Sequence, residues 1–206
     1  MENNILTPQN GIICENLCKS FSEKEVLKNF SVIFPYEKIT AVNGASGCGK
    51  TTLLRIIAGL EDADSGTVSG ALPDEIAFLF QDDRLLPWLT ALKNVETVIR
   101  DKEKKFLARE ILTALKLGDE KDLYAYPTEL SGGMARRVSI ARALAYLVAN
   151  DCKVLILDEA LRGLDKSNVE NTVEVIRRYA SSKTIISVTH NPSSLENGAE
   201  ILTFPA

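Results

Sequence analysis

Residues 42–60 read VNGASGCGKTTLLRIIAGL, with glycines at 44, 47, 49 and 59 between a β-rich run and an apolar helical one. Glycine costs roughly 0.5–1 kcal/mol relative to alanine inside a regular element. Gly44, Gly47 and Gly49 fall close together and run directly into Lys50 and Thr51, so this backbone is shaped around a ligand. Gly44-Ala45-Ser46-Gly47-Cys48-Gly49-Lys50-Thr51 fits G-x-x-x-x-G-K-[ST] in the strand-to-helix setting that a phosphate-binding loop requires. The glycines let successive N–H groups turn inward on phosphate oxygens. The helix that follows points its N-terminus, about half a positive charge, at the same anion. Lys50 is placed to reach the β- and γ-phosphates, and Thr51 to offer its hydroxyl to Mg²⁺.

The flanking sequence supplies that setting. KITAV at 38–42 is a short strand feeding the loop, and Thr51 to Ala58 reads as helix with Gly59 at its stop. Residues 11–34 read as paired strands, in which FSVIFP places Phe30, Val32 and Phe34 on one face and Ser31 and Ile33 on the other. EIAFLF at 75–80 is a further strand. From about Gln81 to Asn150 the pattern turns helical, with Glu103, Leu107, Ile111 and Leu115 at helical spacing. KVLILD at 153–158 and KTIISVT at 183–189 are near-continuous apolar runs, as buried parallel strands are. Val169, Val173, Ile176 and Ala180 between them mark the buried stripe of a helix. Strand, helix, strand makes a βαβ unit, so the fold class is α/β.

Composition sets bounds on partners. A chain of 206 residues, 45% hydrophobic, can bury a sizeable core as one domain. A net charge of −4 argues against coating nucleic acid. The polar start, MENNILTPQNG, lacks a signal-peptide layout, and no apolar run approaches the ~18–20 residues of a membrane span, so a cytosolic setting is expected. Cys14, Cys18, Cys48 and Cys152 are irregularly spaced, with no second Cys or His pair to complete a zinc site, and are expected to be reduced; Cys14, Cys18 and Cys152 are expected to be packing residues, while Cys48 lies inside the glycine loop.

Two further stretches carry chemistry. VLILDE ends an apolar strand in acids, placing Asp158 at the carboxyl edge of the sheet near the phosphate loop, where it can hold Mg²⁺. Glu159 faces another way and can polarise a water as general base, a role worth about 10²–10⁴-fold in rate. ELSGGMARRVSIARAL, Glu129 to Leu144, opens an amphipathic helix with Ser131 as cap and with Gly132 and Gly133 leaving N–H groups bare toward an anion.

Beside the phosphate loop and the acid pair, Ser131-Gly132-Gly133 resembles the signature motif of ATP-binding cassette (ABC) ATPases, and the likeness covers essentially the whole chain. It implies a P-loop NTPase (RecA-like) core, about 1–81 and 151–206, with an N-terminal antiparallel β part. An inserted α-helical subdomain of about 82–150 would carry the signature. It also implies a head-to-tail homodimer in which the signature of one copy caps the γ-phosphate of ATP held by the other copy's loop, Thr52 included. By the same resemblance Gln81 is the lid glutamine on Mg²⁺ and the attacking water. Asp165 contacts across the dimer, His190 is the switch histidine on the γ-phosphate, and Phe21 stacks on adenine. Met134 stands where glutamine is commoner, and Ala160 where proline is usual; neither removes a chemical group. The tail after His190 is short, and no regulatory domain is expected in it.

In this family the segment DDRLLPWLTALKNVE, after Gln81, meets a membrane-spanning permease subunit. An exposed Leu85, Trp88 and Leu89 would make an interface anchor; the other reading packs all three inside the helical subdomain. QDDRLLPWLTALKNV with LSGGM is similar to ATPase subunits of nitrate, sulfonate and taurine importers, and to relatives handling thiamine or pyrimidine precursors. The resemblance thus implies an ATPase on the inner face of the cell membrane, powering uptake of a small solute chosen by the permease and a solute-binding protein. A non-transport ABC ATPase with a soluble partner, such as an iron–sulfur cluster assembly factor, is the alternative. A DNA-repair cassette is disfavoured by the short interval between loop and signature, which has no sustained heptads.

Overall fold

The computed structural model describes residues 10–22, 24–189 and 194–204. Two sheets organise it. Strand β1 (Gly11–Phe21) lies between β2 (Lys24–Pro35) and β4 (Ser65–Ser69) in an antiparallel sheet of order β2-β1-β4. Strands β3 (Ile39–Asn43), β5 (Ile76–Leu79), β6 (Val154–Asp158), β7 (Thr184–Val188) and β8 (Glu200–Thr203) form a parallel sheet of order β5-β6-β7-β3-β8. Helix α1 (Lys50–Ile57) follows the glycine loop. Between β5 and β6 the described elements are all helical. They comprise α2 (Ala91–Glu96), α3 (Phe106–Ala114), α4 (Glu120–Leu123), the long α5 (Gly132–Ala149) and short 3₁₀ turns. Helix α6 (Lys166–Tyr179) links β6 to β7.

The apolar runs of β6 and β7 follow from burial on both faces of the parallel sheet. Leu155, Leu157 and Ile185 belong to a core shared with α2, α3, α5 and α6. Their sequence neighbours Val154, Ile156, Ile186 and Val188 face the other way, onto Leu53 and Leu54 of α1 and Ile12 and Phe34 of the antiparallel sheet. Because side chains alternate along a strand, a sheet sandwiched in this manner needs an apolar residue at every position. Of the FSVIFP stripe, Phe34 is fully buried and Phe30 and Val32 are partly buried against the same core.

One local expectation is corrected. Glu103 does not continue the Leu107–Ile111–Leu115 stripe: it lies in a 3₁₀ turn capped by Asp101, whose carboxylate accepts from the Glu103 N–H, and α3 begins only at Phe106. Short polar β4 and β8 carry no alternation strong enough to be read from sequence. The four cysteines are free, with Cys14 and Cys152 buried.

Candidate active site

The glycine loop joins the carboxyl end of β3 to α1, in the crevice beyond the carboxyl ends of the parallel strands where open α/β sheets take ligands. Gly49 holds φ 109°, and a Cβ there would lie 2.9 Å from both the carbonyl oxygen and a methyl of Val26. No side chain fits without moving β2. Lys50, the first residue of α1, is only 7% exposed. Its Nζ donates to the carbonyls of Gly44 at 2.8 Å and Ala45 at 2.7 Å, which keeps the ammonium inside the curl of the loop. The tip of the β1–β2 hairpin reaches the same place, since Phe21 pairs with Lys24 and Lys24 Nζ donates to the Gly47 carbonyl at 3.5 Å. Phe21 itself is 45% exposed, with the Lys19 ammonium 5.1 Å from its ring centroid.

The acid pair stands opposite. Thr51 Oγ1 donates to Asp158 Oδ2 at 2.9 Å, tying α1 to the last residue of β6. Asp158 is 2% exposed, and burial holds its carboxyl above the usual carboxylate range, against the pull of the Thr51 hydrogen bond. Glu159 turns away in the left-handed region, φ 50°, where its N–H donates to the Val188 carbonyl at 2.9 Å. Its Oε2 accepts from Gln81 Nε2 at 3.3 Å and Arg162 Nη1 at 3.1 Å. A cleft of about 310 Å³ joins these groups, lined among others by Ser46, Lys50, Thr51, Gln81, Asp158 and Glu159. Thr52 and Gly47 border the same cleft. Cys48 is half-buried, with its Sγ 3.7 Å from Lys50 Nζ.

Ser131 caps α5, its Oγ accepting from the Met134 N–H at 3.2 Å. Ser131 and Gly132 are exposed, and a Cβ on Gly132 would meet nothing within 4 Å, so the start of α5 is an open anion-attracting surface. Asp165 caps α6: its carboxylate accepts from the Asn168 N–H at 3.0 Å and from the Asn168 side chain at 2.6 Å, which holds its pKa below the ordinary value. His190 lies outside the described residues.

The family model described as ABC transporter matches residues 27–162, from β2 through the phosphate loop and the start of α5 to the acid pair. The chain belongs to the ABC transporter family. This ABC cassette is 39% identical over 193 residues to the aliphatic sulfonates import ATP-binding protein SsuB of Zymomonas mobilis, covering 89% of this chain and 77% of that protein. It is 38% identical over 199 residues to the sulfate/thiosulfate import ATP-binding protein CysA of Burkholderia mallei, across 88% of this chain and 56% of the relative. Among solved structures, the dimeric structure of MJ0796, a bacterial ABC transporter cassette, superposes with TM-score 0.81 at 29% identity, covering 94% of each chain. A dimeric post-hydrolysis state of the same cassette bound to ADP and Pi superposes with TM-score 0.80. The chain is thus an ATP-hydrolysing ABC ATPase cassette.

Four polar residues of this ABC cassette escape sequence reading. Arg136, 4% exposed, donates six hydrogen bonds, reaching from α5 to the ends of both β5 and β6. Ser139 and Arg142, three and six residues on, grip the same segment after β5. Ser139 Oγ is 3.3 Å from Asp83 Oδ1, and Arg142 donates to the carbonyls of Asp83 and Arg84 at 2.8 Å each. The i, i+3, i+6 spacing in RRVSIAR was the available signal. Asn94, 0% exposed, accepts from the Leu86 N–H at 2.7 Å and donates to the carbonyls of Leu86, Leu89 and Thr90. It thereby shapes the segment around Trp88, which is 70% exposed. The expected anchor is corrected in part: Leu85 packs against the helical core, Leu89 is half-buried, and Trp88 alone stands out. Among the described residues no helix is long and apolar enough to cross a membrane.

Proposed function

We propose that this ABC ATPase powers the membrane import of a small anionic solute of the sulfonate or sulfate type, working from the inner face of the cell membrane. The observation that carries the transport reading is Trp88. A large apolar ring, 70% exposed, stands on a segment whose main chain at Leu86, Leu89 and Thr90 makes four hydrogen bonds with the buried Asn94 side chain. Such rigid aromatic side chains are favoured interface anchors. Nearby, an apolar groove of about 460 Å³ runs between the parallel sheet and α5, lined among others by Leu60, Phe78, Phe80, Leu86 and Tyr146. Together they offer a permease subunit a pocket and an anchor. The import roles of the sulfonate and sulfate relatives support the solute class, which a solute-binding protein would select.

The site residues fit Mg-ATP. Asp158 and Thr51 present hard oxygen ligands, and a buried carboxylate penalised by desolvation suits a divalent cation, with Gln81 as a further ligand. Bound Mg²⁺ would neutralise phosphate charge and orient water. Gly44 through Thr52 cradle the phosphates, Lys50 stabilises the charge that develops on them, and Phe21 stacks on adenine. Glu159 accepts the proton of the attacking water while Gln81 positions that water. His190 reaches the γ-phosphate. Two copies pack head to tail, so that Ser131, Gly132 and Gly133 of each cap the γ-phosphate of the other while Asp165 meets the facing copy. The helical stretch of about 82–150 is a subdomain inserted into the core of about 1–81 and 151–206.

A gentle-detergent pull-down of the tagged chain, with partners identified by mass spectrometry, tests the reading. A multi-pass membrane protein together with a solute-binding protein is expected, and the latter's ligand names the cargo. A soluble partner alone overturns the transport reading and favours the assembly-factor alternative.

A further inference from the structure

We propose that Arg136 is a positioning residue for hydrolysis, a buried fork that sets the main chain beneath Gln81 and Glu159 relative to the phosphate-capping end of α5. Arginine offers five N–H donors in a rigid plane. Here Nε reaches the Ala160 carbonyl at 2.8 Å. Nη1 reaches the carbonyls of Phe80 at 2.8 Å and Gln81 at 3.2 Å, and the Asp83 carboxylate at 3.3 Å. Nη2 reaches the carbonyls of Asp158 at 3.1 Å and Glu159 at 2.8 Å. Five of the six acceptors are main-chain oxygens at the points where β5 and β6 leave the sheet, where ladder partners run out.

Two features make this more than packing. Glu159 sits at φ 50°, a left-handed conformation unfavourable for a non-glycine residue, and the fork holds the carbonyls of 158, 159 and 160 on either side. Arg136 also lies four residues, about 6 Å along the axis, from Gly132 at the start of α5. A shift of that helix end is therefore passed to both side chains at once. Lysine cannot replace the fork, because a single ammonium cannot span carbonyls from two strands.

The inference rests on the reading of Glu159 and Gln81 as the hydrolytic pair. Arg136→Lys and Arg136→Gln are compared with the parent for kcat per folded molecule, for affinity toward a fluorescent ATP analogue, and for thermal melting. A 10- to 100-fold loss in kcat with analogue affinity within threefold is expected of both variants. A kcat within threefold of the parent, or a loss carried entirely by nucleotide affinity, overturns the proposal. Should neither variant fold, Asp83→Asn removes the one anionic partner from a part-exposed position. A threefold to tenfold fall in kcat at unchanged affinity is then expected, and no fall overturns the proposal. Glu159→Gln runs in parallel. If it retains parental hydrolysis, the premise fails; if it abolishes hydrolysis, the Arg136 result stands on its own.

Discussion

The Thr51 hydroxyl donates to Asp158 at 2.9 Å, closing a gap of 107 residues and bringing the start of α1 onto the end of β6. The carboxylate it steadies is buried against its own preference, for burial raises its pKa. The folded chain therefore binds a proton to Asp158 more readily than the unfolded chain, whose carboxyl titrates near ~3.9. Between that value and the raised one, stability falls as pH rises, and above the window the penalty is complete.

Asp158→Asn should consequently stabilise the nucleotide-free protein at neutral pH while removing metal-assisted hydrolysis. We expect a gain of about 2–4 °C in Tm at pH 7, the shift that about 1 kcal/mol produces in a domain of this size. The gain should disappear as the pH is taken down toward 4. A Tm that drops at pH 7 would mean the carboxylate is a net stabiliser.

Lys50 keeps its ammonium in the curl of the loop through the Gly44 and Ala45 carbonyls. Lys50→Met removes the charge and keeps the length of the side chain. ATP affinity should fall at least tenfold, about 1.4 kcal/mol, in equilibrium binding. Unchanged affinity would place the phosphates elsewhere.

Glu159→Gln keeps an oxygen that can accept from Gln81 and Arg162 but no longer takes a proton from water. Nucleotide binding should persist while turnover stops, so the closed head-to-tail dimer should accumulate. Size-exclusion chromatography in saturating Mg-ATP should show a dimer for this variant; a monomer there refutes the assembly for the isolated chain.

Trp88 and Asn94 separate interface from scaffold. Trp88→Ala should leave basal ATPase within twofold and weaken co-purification of the membrane partner. Asn94→Ala strands the Leu86 N–H and three carbonyls of a half-buried loop. We expect a loss of about 2–3 kcal/mol, or roughly 5–10 °C in Tm. If Trp88→Ala abolishes basal activity while partner binding is normal, the ring serves the site rather than the interface.

Much of the site was legible because its chemistry is local. A phosphate loop is a contiguous run whose glycines, lysine and threonine sit within one turn of chain. The Ser131 cap likewise acts on a residue three positions away. Strands β6 and β7 announced themselves because a sheet buried on both faces demands unbroken apolar runs. Arg136 and Asn94 stayed hidden for the converse reason. The acceptors of Arg136 lie 22 to 56 residues away, and a buried polar side chain looks in sequence like any solvated one. The LLPWL run could not be divided either, since neighbouring side chains in an irregular loop point in unrelated directions. Only packing put Leu85 inside and Trp88 outside.

Residue order thus settled the fold class and the family, both resting on contiguous pattern and backbone propensity. Tertiary structure decided which groups meet: Thr51 with Asp158, Gln81 with Glu159, and Arg136 with the ends of two strands. The physical reason is that hydrogen bonds between distant segments depend on distances of a few tenths of an ångström, and those are set only once both cores have packed against the parallel sheet.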